Sequence, residues 1–245
     1  MSRDSIDAYD VPDRVASYDA DMDVMHPNRA KMVDVIVEFL PFARDAEFTV
    51  LELGIGTGYL TQRLLETFPR ARVIGVDGAT AMVEMAQARL GDLARRVDFR
   101  IGDFRELGAL LEAGETVDAA VSAYALHHLD ASAKSEVVQQ AVEVMRSGGW
   151  FLNADLVETE SAAVEARVQQ LRVDGIMRRA APGDLRFASE SGTRRFLDEL
   201  QSQEGDQPVT LWEDLEILKR AGLEDACVLW LEYREAVTAA RKPGS

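Results

Sequence analysis

Short apolar runs alternate with amphipathic segments along most of this chain, the pattern of a parallel sheet with helices on its faces. Beyond an acidic leader, Met32, Val33, Ile36, Val37 and Leu40 recur at helical spacing, just past Pro27, a residue suited to a first turn. Residues 49–53 (Thr-Val-Leu-Glu-Leu) read as a compact strand that enters a glycine-rich turn. A helix follows, carrying Leu60, Leu64 and Phe68 and stopped by Pro69. The unit then repeats. Residues 73–76 predict a strand and 81–90 a helix, with Gly91 just past its end. Third and fourth strands are predicted at 97–101 and 117–122. The next helix opens near Asp130 or Ser132, runs through Val137, Val138, Val142 and Met145, and ends at Gly148-Gly149, before a fifth strand at 150–154.

The pattern changes over residues 156–209, where Val164, Val168 and Leu171, then Phe196, Leu197 and Leu200, keep helical spacing with no strand between them. A structureless loop of that length does not suit a compact domain, so the segment predicts a helical insertion that could act as a lid. Thr210-Leu211-Trp212-Glu213 has the form of a capping box opening a last helix, which closes at Gly222. Residues 228–233 and 236–240 then predict a terminal hairpin. The expected fold is therefore α/β: a seven-stranded, mostly parallel sheet with helices on both faces and a C-terminal antiparallel hairpin. It forms one domain over 1–245, with a helical leader or lid (1–45), a ligand-binding core (46–155), the helical insertion (156–209) and the last helix with its hairpin (210–245).

Composition narrows the function classes. Apolar residues make up 47% of the 245, enough for a sizeable core. No apolar run reaches the roughly 18 residues that suggest a membrane span. The N-terminal residues lack a secretory apolar segment, which makes the cytoplasm the expected location. The lone Cys227 sits in an apolar run and reads as a packing residue. A net charge of −16 disfavours nucleic acid as a partner, because phosphate contacts dominate such binding. Arginines nevertheless gather at 178–179, 186 and 194–195, either as ordinary surface residues or as a local anion site. A homodimer is allowed, and the oligomeric state is otherwise open.

The strongest chemical signal is Glu52-Leu53-Gly54-Ile55-Gly56-Thr57-Gly58, set between a strand and a helix. A ligand approaches such a backbone closely only where side chains are absent, and the helix start offers free N–H groups. Asp77 ends the second strand, about 20 residues on, where a carboxylate can accept from both ribose hydroxyls; it could equally cap the next helix. Asp103 ends the third strand beside Phe104, a pair able to accept from an adenine amine and to pack on its ring, or simply to form a turn. Three such positions on three successive strand ends form one line, at the edge where open α/β sheets bind ligands. A dinucleotide fingerprint would need glycine at position 59, which is Tyr59, and Glu52 would repel a pyrophosphate while tolerating a cationic ligand.

Together with Ala123-Tyr124-Ala125-Leu126-His127-His128-Leu129, these residues resemble the class I, Rossmann-like S-adenosylmethionine-dependent methyltransferases over roughly residues 50–154. The resemblance implies S-adenosyl-L-methionine as cofactor, methyl transfer to a small-molecule acceptor, and an added C-terminal helix and hairpin. It places Gly54, Gly56 and Gly58 at the methionine part, Asp77 at the ribose, Asp103 and Phe104 at the adenine, and Glu52 near the amino group. More distantly, the layout resembles the subgroup that makes carboxy-S-adenosylmethionine for tRNA wobble-uridine modification, through Met25-His26-Pro27-Asn28 and Arg194-Arg195. The glycine loop and the residues around the arginines depart from that subgroup. A cofactor-binding regulator without turnover is a further alternative.

In-line methyl transfer requires alignment and exclusion of water, and a base only where the acceptor is protonated. His127 is the expected base, with Tyr18 and Tyr124 as further catalytic candidates; structural packing is the alternative for each. The spacing of Asp19, Asp21 and Asp23, and of the remaining His, Asp and Glu residues, predicts no metal site.

Overall fold

The computed structural model describes residues 3–244, with the side chains of 3–5, 12, 13 and 16 outside the description. The chain opens with three helices, α1 (Arg3–Tyr9), α2 (Pro12–Met25) and α3 (Arg29–Phe39), then alternates strand and helix. The series runs β1 (Thr49–Leu53), α4 (Tyr59–Thr67), β2 (Arg72–Asp77), α5 (Thr80–Leu90), β3 (Val97–Ile101), the short α6 (Leu107–Leu110), β4 (Val117–Ala123), α7 (Ala131–Val144) and β5 (Met145–Leu156). Helices α8 (Ala162–Arg179) and α9 (Glu190–Glu204) form the insertion, and α10 (Leu211–Arg220), β6 (Glu224–Glu232) and β7 (Glu235–Arg241) close the fold.

The seven strands order as β3-β2-β1-β4-β5-β7-β6. The first five are parallel; β7 runs antiparallel between β5 and β6. Strand order reverses between β1 and β4, which opens a crevice at their C-terminal ends. Alternation along the strands splits the core in two. Leu51, Leu53, Val117 and Phe151 pack with α7 and α10 on one face, while Val50, Val121 and Leu152 pack with α3 and α4 on the other.

The caps explain where helices begin. Thr210 accepts from the Glu213 amide, as the sequence predicts, and of the two starts left open for α7 the cap is Asp130, which accepts from the Ala133 amide. Two boundaries differ by several residues: β6 starts at Glu224 rather than at 228, and the junction of α7 and β5 moves. Helix α7 stops at Val144, and β5 starts at Met145 rather than at Trp150. Lys242 explains the early stop, because its Nζ donates to the Val142 and Met145 carbonyls at 2.7 and 2.6 Å. Gly148, with a φ of 79°, lies in an irregular stretch of β5 instead of capping the helix.

The insertion and the leader have small cores of their own. Val173, Ile176, Phe187 and Leu197 pack around Met25, and Val15 packs on Ala79 and Met82. Leader and insertion thereby lie over the C-terminal edge of the sheet.

Candidate active site

The glycine turn leaves β1 with the Gly54 and Ile55 amides donating to the Val76 carbonyl, which ties it to the end of β2. All three of its glycines take positive φ; Gly58, at 76°, packs on Ala86 and is not among the residues lining the cavity beside the turn. Gly54 has a φ of 73°, and a Cβ there would collide with that of Ala125. Gly56 has a φ of 53° and open space where a side chain would project, so any larger residue would fill the cavity it lines.

That cavity lies over the β1 and β2 ends and is walled by Glu52, Gly54, Gly56, Asp77, Tyr124 and His128, among others. Asp77 is buried and accepts from the Gly56 amide at 2.8 Å and the Ala79 amide at 2.9 Å. It therefore braces both the glycine turn and the residue before α5 while facing the cavity. Burial pushes its pKa up, against the opposing pull of those backbone amides. Glu52 is 1% exposed and accepts from the Thr61 hydroxyl. Burial raises its pKa to about 8; the Thr61 bond works against this and the Asp77 charge adds to it. No cation pairs with Glu52 among the described residues. A buried carboxylate without a counter-ion, beside a bare backbone turn, suits a ligand bearing a positive tail.

Asp103 and Phe104 are not among the residues lining this cavity. Asp103 caps its own 3-10 turn through the Arg105 amide at 2.9 Å and pairs with the Arg105 guanidinium at 2.5 Å. Phe104 is buried in the core below the crevice. The wall there comes instead from Ala79 and Met82 of α5 and from Ile6 and Tyr9 of the leader. Ile6 sits so close to Gly78 that a Cβ there would lie 2.6 Å from its Cδ1.

Arg29 also lines the cavity, a residue the sequence reading did not single out. It is buried, pairs with Asp19 at 2.6 Å and lies 4.1 Å over the Tyr59 ring. Its place at the start of the apolar α3, in Asn28-Arg29, was the available signal. Tyr59, which excludes a pyrophosphate fingerprint, here carries a cation on its face.

A second cavity adjoins the first and shares Tyr9, Tyr18, Met22 and Tyr124 with it. The two histidines divide between them: His128 faces the first cavity and His127 the second. His127 Nδ1 is 2.5 Å from Asp155 Oδ1, and both residues are buried. Burial alone would lower the His127 pKa; the Asp155 charge and hydrogen bond, with Asp206 and Glu204 beyond, raise it above its ordinary value. Its Nε2 stands 3.6 Å from Asp206, too far for a hydrogen bond, and so keeps a free lone pair. The Gln207 amide donates to the His127 carbonyl at 2.6 Å, pinning the end of the insertion to this motif.

His128 Nδ1 approaches Asp206 Oδ1 at 3.0 Å, but off the line of a formed hydrogen bond, and burial lowers its pKa. Tyr124 has a φ of 52°, and its hydroxyl donates to Glu235 Oε1 at 2.9 Å. A tyrosine held in the left-handed region at a cavity wall is strain of the kind found at functional sites. Tyr18 is held neutral by burial, which raises its pKa to about 12. Arg194 donates to Gln170 Oε1 at 3.2 Å, and neither Arg194 nor Arg195 is among the residues lining these cavities.

No helix of the described residues is long and apolar enough to cross a membrane. Residues 50–149 match the family described as a methyltransferase domain. An uncharacterized methyltransferase of Anoxybacillus flavithermus is 33% identical over 128 residues, 52% of this chain and 56% of that protein. The chain thus spans little more than half the length of the first curated relatives it matches. Among solved structures, "PigF with SAH" superposes with a TM-score of 0.65 at 17% identity over 99% of this chain and 63% of that one. The methyltransferase in a complex with the Haloferax volcanii Trm112 activator gives 0.65 at 20% identity, over 99% and 100% of the two chains. With the strand order, the glycine turn and the acidic strand end already in place, the chain carries a methyltransferase domain over residues 50–149 within the class I fold.

Proposed function

We propose that the protein transfers a methyl group from S-adenosyl-L-methionine to a small-molecule acceptor bound in the second cavity. One observation carries this reading: Glu52, Gly56 and Asp77 face one cavity, and a tyrosine-lined wall joins it to another lined by His127, which Asp155 holds from behind. When bound, S-adenosylmethionine supplies a methyl carbon on a cationic sulfur that takes back the electron pair of the broken bond. Glu52 and Asp77 hold the ammonium and ribose ends, and Arg29 stands ready for the carboxylate. Asp103 and Phe104 support the strand end from outside the pocket, with Ala79 and Met82 flanking the base.

The acceptor is a hydroxyl or another protonated nucleophile. Its proton passes to His127 Nε2 as its electron pair forms the new bond to carbon. Asp155 fixes the Nδ1 proton and stabilises the imidazolium that results. Tyr18 and Tyr124 position the reactants and exclude water; both phenols stay neutral at ordinary pH. A small acceptor fits because leader and insertion cover both cavities, and the −16 net charge opposes a nucleic-acid substrate.

Isothermal titration is the test. Wild-type protein binds S-adenosylmethionine, and Asp77→Ala weakens that binding more than about tenfold through the lost ribose and turn contacts. Unchanged affinity in the variant would reject the site. Labelled cofactor incubated with cell extract then reports the acceptor.

A further inference from the structure

A third cavity meets the second at Met25, His26 and Arg172, which line both. It holds about 230 Å³ of free space, against about 60 Å³ in each of the other two, so it is the roomiest of the three. Four arginines line it: Arg172, Arg178 and Arg179 from α8, and Arg234 from the turn before β7. In a chain with 43 acidic and 27 basic residues, this concentration runs against the background.

The pairing of these arginines is unusual. Arg234 is 6% exposed, and its Nε and Nη1 have no hydrogen-bond partner. Arg172 makes no ion pair or hydrogen bond through its side chain among the described residues. The nearby carboxylates are committed elsewhere. Glu235 accepts from Asn28 and Tyr124 at 2.8 and 2.9 Å and contacts His26 at 3.0 Å. Glu165 accepts from Gln169 at 2.7 Å and from the Thr159 amide at 3.2 Å, and Glu232 is exposed. Burial and the Arg234 charge pull the Arg172 pKa down to about 10, although Asp206, Glu235 and Glu204 act the other way. Glu165 feels the Arg234 charge without bonding to it, and a buried guanidinium with no hydrogen-bonded carboxylate is costly, while its planar fork matches the two oxygens of an oxyanion.

We propose that Arg172 and Arg234 form an oxyanion subsite, which makes the acceptor an acidic small molecule. Its carboxylate or phosphate lies in the third cavity, and its reactive group reaches past Arg172 to His127. The inference rests on the acceptor-cavity reading above and sharpens it to a substrate class. Arg178 is exposed and Arg179 donates to the Val24 carbonyl at 2.8 Å, so the two serve as a positive rim.

The test uses the full chain with benzoate and inorganic phosphate as probes, read by thermal shift and calorimetry, with S-adenosylhomocysteine binding measured in parallel. Wild type is stabilised by at least one anion in the concentration range that sets its affinity. The stronger probe tells a carboxylate acceptor from a phosphorylated one. Arg172→Met and Arg234→Met each weaken anion binding about tenfold or more, as expected for loss of a charge-assisted fork, and leave S-adenosylhomocysteine affinity within about twofold. Without anion, Arg234→Met melts no lower than wild type, because it removes an uncompensated charge; a merely structural arginine would melt lower. Arg172→Lys and Arg234→Lys keep the charge, lose the fork and give intermediate losses, so the result does not depend on the methionine variants folding.

Failure of wild type to respond to either probe overturns the proposal, as does unchanged anion binding in the double variant. If S-adenosylhomocysteine also fails to bind, the methyltransferase reading falls as well. If it binds normally, only the subsite falls.

Discussion

His127 Nδ1 and Asp155 Oδ1 stand 2.5 Å apart, one in the middle of a 3-10 turn after β4 and the other near the end of β5. Neighbouring parallel strands thus present the imidazole to the cavity and hold its orienting carboxylate buried behind it. As a base, His127 must be neutral, and its pKa is raised, so the acid limb of kcat/KM lies above pH 6.5. Asp155→Asn removes the largest raising influence and moves that limb to lower pH while cutting kcat. His127→Gln lowers kcat by roughly 10²–10⁴-fold with cofactor affinity intact. A pH–rate profile checks both. An unshifted limb in Asp155→Asn would remove His127 from the proton path.

Glu52 gives a second pH signature. Its pKa rises from 4.5 to about 8, so the folded chain binds this proton more tightly than the unfolded chain. The resulting stabilisation is present at low pH and is lost as pH climbs through about 8. A cationic ligand reverses the preference. Cofactor binding at pH 7 therefore releases about one proton, measured by titration in buffers of different ionisation enthalpy. Glu52→Gln abolishes the release.

Gly54→Ala forces a methyl group into Ala125 on a backbone with a φ of 73°. The strain costs about 1–3 kcal/mol in denaturant unfolding. Because the turn also shapes the cavity, cofactor affinity falls with it.

Lys134 is 2% exposed; it pairs with Asp214 and reaches Asp155 at 3.9 Å. Lys134→Met leaves buried Asp214 without its cation, while Asp155 keeps His127, and destabilises the protein by about 3–5 kcal/mol. It also deprives Asp155 of a neighbour that keeps it ionised, so the His127 limb shifts in the surviving fraction. Denaturant unfolding and the pH–rate profile read the two effects separately.

Much of the fold is legible in the sequence, because strand and helix periods are local. The boundaries of β1 and β3, the caps at Asp130 and Thr210 and the order of elements all follow from nearest neighbours. The end of α7 does not, since Lys242 sets it from about a hundred residues away. The site divides the same way. Glu52, Gly54, Gly56 and Asp77 lie on one β1–turn–α4–β2 segment and line the first cavity together. Asp103 and Phe104 fit the same pattern, yet Arg105 draws the carboxylate aside and the core takes the ring. Asp155, Arg172 and Arg234 have no local signal at all. Their meaning comes from what the insertion and the hairpin bring beside them.

Ile6 packed on Gly78, and Tyr9 and Tyr18 standing in the wall of the first cavity, put the leader between that cavity and solvent. Every exchange of spent for fresh cofactor then waits for this seam to part. With chemistry faster than parting, product formed in the first turnover will outrun the steady state. The burst amplitude will count active sites, and the slow phase will time the opening of the leader.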